Sequence, residues 1–262
     1  MLVILGLVVG MVLGLTGAGG GMLAVPALMF GLQWSVAQAA PVALMTVALS
    51  ASLGALDGLR KGLARYRAAL LMATVALPMS ALGLMLAHRL PALALTCLFM
   101  LVMILAALRL LHAKANDETA ELLICPVSPS SGRFLWTPKR VVAMSSFGAL
   151  SGFLTGLLGV GGGFIIVPVL RFFTDLSLAA IVATSLMVVA LVSGLSLLLV
   201  VEQLDLSSLI PALPFVVAVL FGLILGRVMA PQLPAQRVQQ SFAILMLIVA
   251  AALGIREFIM LG

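Results

Sequence analysis

Long apolar stretches alternate along the chain with short polar or proline-bearing interruptions, at about residues 1–32, 36–58, 66–88, 91–111, 139–173, 176–201, 206–230 and 234–260. An α-helix needs about 20 apolar residues to cross roughly 30 Å of hydrocarbon. A transmembrane barrel strand would instead show about 10 residues of alternating polarity, and no such alternation is present. The pattern therefore predicts an all-α integral membrane protein. Ser35, Asp175 and Asp205 stand where helix N-caps fall, and Pro91 and Pro234 suit a first helical turn. Residues 112–138, rich in polar residues, Pro and Ser and including Asn116-Asp117-Glu118, read as a linker outside the bilayer.

The pattern also repeats. Residues 10–26 read GMVLGLTGAGGGMLAVP and residues 152–168 read GFLTGLLGVGGGFIIVP, with 9 of 17 positions identical at an offset of 142. Leu44-Met45 and Val47-Ala48-Leu49 meet Leu186-Met187 and Val189-Ala190-Leu191 at the same offset. After one inserted residue the register continues, pairing Gly83 with Gly226, Leu90-Pro91-Ala92 with Leu233-Pro234-Ala235, and Phe99 with Phe242. The chain thus divides into a first four-unit repeat over 1–111, a linker over 112–138 and a second four-unit repeat over 139–262. The apolar start, Met1 to Leu15, carries no basic residue before it and recurs in the second copy, so it is expected to belong to the bundle rather than to a cleaved signal.

Composition agrees. Of 262 residues 64% are hydrophobic and 8% charged, against roughly 45–50% and about 25% in soluble domains, and the mean hydropathy is +1.33. Cys97 lies in an apolar run and Cys125 in the linker, which suits neither a metal motif nor a disulfide. The net charge of +6 reports orientation before it reports a nucleic-acid partner, and none is expected. If every unit crosses, the basic residues split 10 against 4 between the two faces. If the first unit of each copy is re-entrant, they split 12 against 2, with only Arg89 and Arg256 on the poorer face. The second split is the stronger positive-inside bias. It makes each copy cross an odd number of times, so that the repeats are inverted. The linker is cytoplasmic under both schemes.

Each first unit carries a glycine cluster at its middle. Every glycine in a helix interior costs about 1 kcal/mol relative to alanine, and non-helical backbone at membrane depth is tolerated only where protein buries it or water reaches it. Glycine lets a ligand approach the main chain, so successive N–H groups can converge on one spot. The segments that follow, Met22 to Phe30 and Phe164 to Leu170, then present helix N-termini to it. Close helix packing is the bland alternative, but the cluster is denser than packing requires and is followed in both copies by Pro26 or Pro168. No Lys-Ser/Thr follows the glycines and the GxGxxG spacing is unmatched, so no nucleotide cofactor is expected.

The repeated GxxGxGGGxxxVP motif, the two four-unit copies, the Ala183-Thr184-Ser185-Leu186 stretch and the Leu-Pro-Ala starts of the last helices resemble the TauE/SafE (sulfite exporter) family over almost the whole chain. The resemblance implies a multi-pass carrier of the bacterial inner membrane that exports sulfite, sulfonates or related organosulfur anions. It nominates Gly17, Gly19, Gly20, Gly21, Gly159, Gly161, Gly162 and Gly163 as substrate-binding, with Thr184 and Ser185 as hydroxyl donors. The first copy reads Pro41-Val42-Ala43-Leu44 at the matching place and lacks those hydroxyls.

Ionisable groups at membrane depth are functional candidates by default. Asp57 and Glu202, near the ends of their units, read as interfacial. Arg171 is a candidate for attracting the anion at the pore mouth, and Thr46 and Ser50, one helical turn apart, for lining the same cavity. No Ser/His/Asp set and no His/Glu metal spacing occurs in the apolar units, which argues against an intramembrane enzyme and against a metal site. A purely structural subunit would have no evident use for duplicated glycine breaks. The expected partners are a small anion and the lipid bilayer, with a homo-oligomer left open.

Overall fold

The computed structural model describes residues 1–17, 20–112, 138–174, 176–200, 206–232 and 234–261. The described residues form ten α-helices: α1 (Leu2–Thr16), α2 (Gly21–Leu32), α3 (Val36–Arg60), α4 (Tyr66–Ala87), α5 (Ala92–His112), α6 (Pro138–Leu158), α7 (Gly163–Phe173), α8 (Leu178–Val200), α9 (Leu206–Met229) and α10 (Ala235–Leu261), with a 3-10 turn at Ala230–Gln232. All regular elements among the described residues are helical. Among the described residues seven helices, α3, α4, α5, α6, α8, α9 and α10, are long and apolar enough to cross a bilayer. The protein is an all-α multi-pass membrane protein.

Where a helix starts follows from local chemistry. Ser35 caps α3 through a capping box with Gln38, each side chain meeting the other residue's backbone N–H. Pro91 and Pro234 stand one residue before α5 and α10, and their carbonyls accept from the Leu95 and Val238 N–H groups. Asp175 and Asp205, and the linker between α5 and α6, lie outside the described residues.

The two long first units are each broken into a helix pair. Helix α1 ends at Gly17, whose φ of 81° is left-handed and whose N–H closes on the Leu13 carbonyl. Helix α2 then folds back along α1: Gly20 packs on Leu13, and Gly31 packs on Leu2 and Leu5 near the other end. In the second unit α6 ends before Gly159, and α7, 11 residues long, begins at Gly163. At about 1.5 Å per residue, α1, α2 and α7 each fall short of the hydrocarbon thickness.

Packing joins the copies rather than separating them. Helix α1 lies along α9, with Gly6 against Phe215 and Ala218, Gly10 against Val219, and Gly14 against Leu223 and Gly226. Helix α6 lies along α4, with Gly148 against Met72, Gly152 against Ala76 and Gly156 against Ser80. Numbering rises together in both pairs, so both are parallel. At each of these glycines a Cβ would run into a neighbouring backbone carbonyl or side chain, which is how small residues let membrane helices approach closely. At the centre α3 and α8 run antiparallel, Gly54 meeting Leu186 and Gly58 meeting Ala183. Large apolar side chains such as Phe221, Val228, Ile248 and Phe258 are exposed on the outer helices. A soluble protein would hide such a surface, whereas lipid solvates it.

Candidate functional site at the paired helix breaks

Both breaks lie inside the protein, against the central helices. Gly17 packs on Val182 of α8, and Gly159 packs on Ala40 of α3, positions that correspond at the repeat offset. The breaks also meet each other. A Cβ at Gly21 would lie 2.7 Å from the Val160 carbonyl oxygen. Gly17, Gly20, Gly21, Gly159, Gly161, Gly162 and Gly163 are all buried. Gly19 lies outside the described residues.

The copies differ in detail despite their shared sequence. Gly20 is right-handed, with φ −60°, whereas its counterpart Gly162 is left-handed, with φ 61°. The second break is also the more polar. Ser151 of α6 donates to the Gly162 carbonyl at 3.1 Å, and Thr155 donates to the Ser151 carbonyl at 2.7 Å. The first copy has Val9 and Leu13 at those places. A trans peptide points its N–H opposite to its C=O. Holding the Gly162 carbonyl toward α6 therefore turns the Gly163 N–H away from α6. No side chain caps the N-terminus of α2 or α7, so their first N–H groups keep the partial positive charge of a helix start.

The nominated hydroxyls have structural partners. Thr46 donates to the Val42 carbonyl on its own helix at 2.7 Å. Thr184 accepts from the Arg65 N–H at 3.0 Å, tying the start of α8 to the start of α4. Ser185 donates to Val182 at 3.0 Å, with a longer 3.4 Å contact to the Gly17 carbonyl. It thereby touches the break of the other copy. Arg171 is in α7, eight residues after the Gly163 amide group that starts the helix, and its side chain lies outside the described set.

Two other hydroxyls stand apart. Ser50 of α3 and Ser193 of α8 are 0% exposed, and neither Oγ has a hydrogen-bond partner. Ser193 faces the second break, since a Cβ at Gly161 would lie 2.9 Å from its Oγ. Ser50 is marked in the sequence by its spacing from Thr46, but Ser193 is not singled out there. The repeat register gives no signal either: at the offset of 142 that holds through Leu49 and Leu191, Ser193 aligns with Ala51 and Ser50 with Val192.

Among the described break glycines, the nearest neighbouring atoms belong to Val, Leu, Ala, Ser and Thr residues or to the backbone. An ion pair joins Arg227 of α9 to Asp57 of α3 at one end of the bundle. No cluster of His, Cys, Asp and Glu able to hold a metal occurs among the described residues.

A multi-pass helical bundle that brings two duplicated backbone breaks together at its centre has the architecture of a membrane transporter. The chain belongs to the sulfite exporter TauE/SafE family, whose profile matches residues 2–253. It is 30% identical over 249 residues to a probable membrane transporter protein of Xylella fastidiosa strain Temecula1, covering 92% of this chain and 89% of that one. A protein of the same description from strain 9a5c is 29% identical over the same shares. No solved structure matches the chain.

Proposed function

We propose that this protein exports small anions, sulfite or organosulfonates, across the bacterial inner membrane, binding them at the paired breaks. The observation that carries this reading is the meeting of Gly21 with Val160, which sets the uncapped start of α2 beside the buried turn that leads into the uncapped start of α7. Helix N-termini and oriented amides bind anions without any cationic side chain. Family membership supports the transport of a sulfur oxyanion.

In the proposed topology each first unit is re-entrant and the repeats are inverted about a cytoplasmic linker. Two contacts favour it over a scheme in which every unit crosses. Arg227 at the end of α9 touches Asp57 at the end of α3, and Arg256 near the end of α10 reaches Gln33 after α2. The all-crossing scheme would put the members of each contact on opposite faces of the bilayer. The re-entrant scheme puts each pair on one face, and the fold-back of α2 along α1 agrees with it.

Reconstitution tests the function directly. Purified protein in liposomes is expected to give saturable flux of sulfite or methanesulfonate. Gly161→Ala places a methyl 2.9 Å from both Ser193 Oγ and Val47 Cγ1 at a backbone φ of 76°, and is expected to abolish that flux. Gly194→Ala, on α8 with nothing within 4 Å, is expected to retain it. Absence of flux for every anion tried would overturn the carrier reading, and a fully active Gly161→Ala would remove the break from the site.

A further inference from the structure

We infer that Ser193 of α8, with Ser50 of α3, supplies the side-chain hydrogen bonds that hold an oxyanion at the breaks; the inference rests on the carrier reading above. A buried hydroxyl without a partner is destabilising, because water bonds it in the unfolded chain and nothing does so in the folded one. Most buried hydroxyls in this bundle avoid that cost. Thr46, Thr155 and Ser185 donate to nearby carbonyls, and Ser80 pairs with Ser196 at 2.6 Å. Ser50 and Ser193 are both 0% exposed and lack a partner.

Their positions give the exception a use. Both sit on the central antiparallel helices, and Ser50 lies three residues beyond Val47, which packs on Gly21 and on Gly161. Ser193 faces Gly161, two residues before the Gly163 amide that the Ser151 bond turns away from α6. An oxygen of a sulfite or sulfonate group there would accept from the Ser193 hydroxyl and from main-chain N–H groups at the start of α7. Val47 and Val189 complete the surroundings of Gly161, so one face of the site is apolar. That mixture suits a compact oxyanion carrying a small apolar substituent, such as an alkylsulfonate. The hydroxyls would thus be satisfied only when substrate is bound.

The test compares stability with transport. Ser193→Ala and Ser50→Ala remove an unpartnered hydroxyl, so each is expected to unfold at the wild-type temperature or higher. Each should raise KM for methanesulfonate roughly 10- to 100-fold, the usual worth of a hydrogen bond to a charged group. Methanesulfonate should also raise the unfolding temperature of the wild type by mass action, and this shift should shrink in both variants. Ser196→Ala is the control. It loses the bond to Ser80, so its unfolding temperature should drop while KM stays put. Wild-type KM and an undiminished ligand-induced shift in both Ser193→Ala and Ser50→Ala would overturn the assignment while leaving the carrier reading intact. Absence of saturable methanesulfonate and sulfite flux in the wild type would overturn both. If Ser193→Ala fails to fold, the hydroxyl is structural after all and the assignment falls.

Discussion

Arg227 Nη1 lies 2.9 Å from Asp57 Oδ2, and Arg227 Nη2 donates to the Gly54 carbonyl at 2.7 Å, so one α9 arginine grips the last turns of α3. Asp57 also meets Lys61 one turn further along its own helix, at 2.9 Å. Because Asp57 is in the first copy and Arg227 in the second, the pair ties the repeats together at one end of the bundle. Asp57 keeps 42% of its side chain exposed, so solvent screens the attraction. A double-mutant cycle over Asp57→Asn and Arg227→Met should return a coupling of about 1 kcal/mol. Thermal unfolding in detergent should show each single variant lowered by about 2–4 °C per kcal/mol lost. Additive single effects would mean that the two groups do not cooperate.

Glycines of two kinds should respond differently to substitution. Gly10 and Gly152 sit where α1 meets α9 and α6 meets α4, and a Cβ at either would run into a facing backbone carbonyl, which cannot move without separating the helices. Gly10→Ala and Gly152→Ala are therefore expected to cost about 1–3 kcal/mol of stability through overpacking. Gly194 on α8 faces open space, and Gly194→Ala should gain up to about 1 kcal/mol of helix propensity. Unfolding temperatures of the three purified variants check the order. Equal values would mean that the glycine contacts do not hold the helices together.

Helix existence is readable in this sequence because lipid demands one long apolar run per crossing, and the runs from 36 to 111 and from 176 to 260 fall within a few residues of the observed helices. The excess length of the first units marks the breaks for the same reason. Which helix each one packs on is hidden. Gly6, Gly10, Gly148 and Gly152 announce a close approach, but a small residue looks the same whatever faces it, and the partners lie in the other copy. Hydroxyls carry a similar ambiguity. Thr46 and Ser50 share one face of α3, yet Thr46 bonds its own helix and Ser50 bonds nothing, a difference set by rotamer and neighbours.

Surface labelling separates the two topologies. In a Cys97→Ser, Cys125→Ser background, single cysteines at Gly62, Gln232 and Gln33 are well placed, Gly62 having nothing within 4 Å and the two glutamines being exposed. Under the inverted scheme Gly62→Cys and Gln232→Cys label from the cytoplasmic side, and Gln33→Cys from the periplasmic side with a membrane-impermeant maleimide. If every unit crossed, Gly62 and Gln232 would be on opposite faces. Labelling of those two from different sides would sink the inverted arrangement.

The charge state of the substrate should matter more than its size. The cost of moving an ion into a low-dielectric region rises with the square of its charge, and for a single charge the idealised value is of order 20 kcal/mol before relaxation. The described break glycines have hydroxyls, amides and apolar groups as nearest neighbours, and no cation among them to offset a second negative charge. A monoanion should thus be carried in preference to a dianion. Hydrogensulfite loses its proton near neutral pH to become the sulfite dianion, whereas methanesulfonate is a monoanion throughout that range. At fixed total sulfite, flux into liposomes should fall as pH rises through that ionisation, approaching roughly tenfold per pH unit above it as the monoanion fraction shrinks. Methanesulfonate flux over the same range should stay level, which removes titration of the protein as the cause. Sulfite flux that rises with pH beside a flat methanesulfonate control would require a compensating positive charge at the site. Arg171, on the helix that starts at the second break, would then be the residue to replace first.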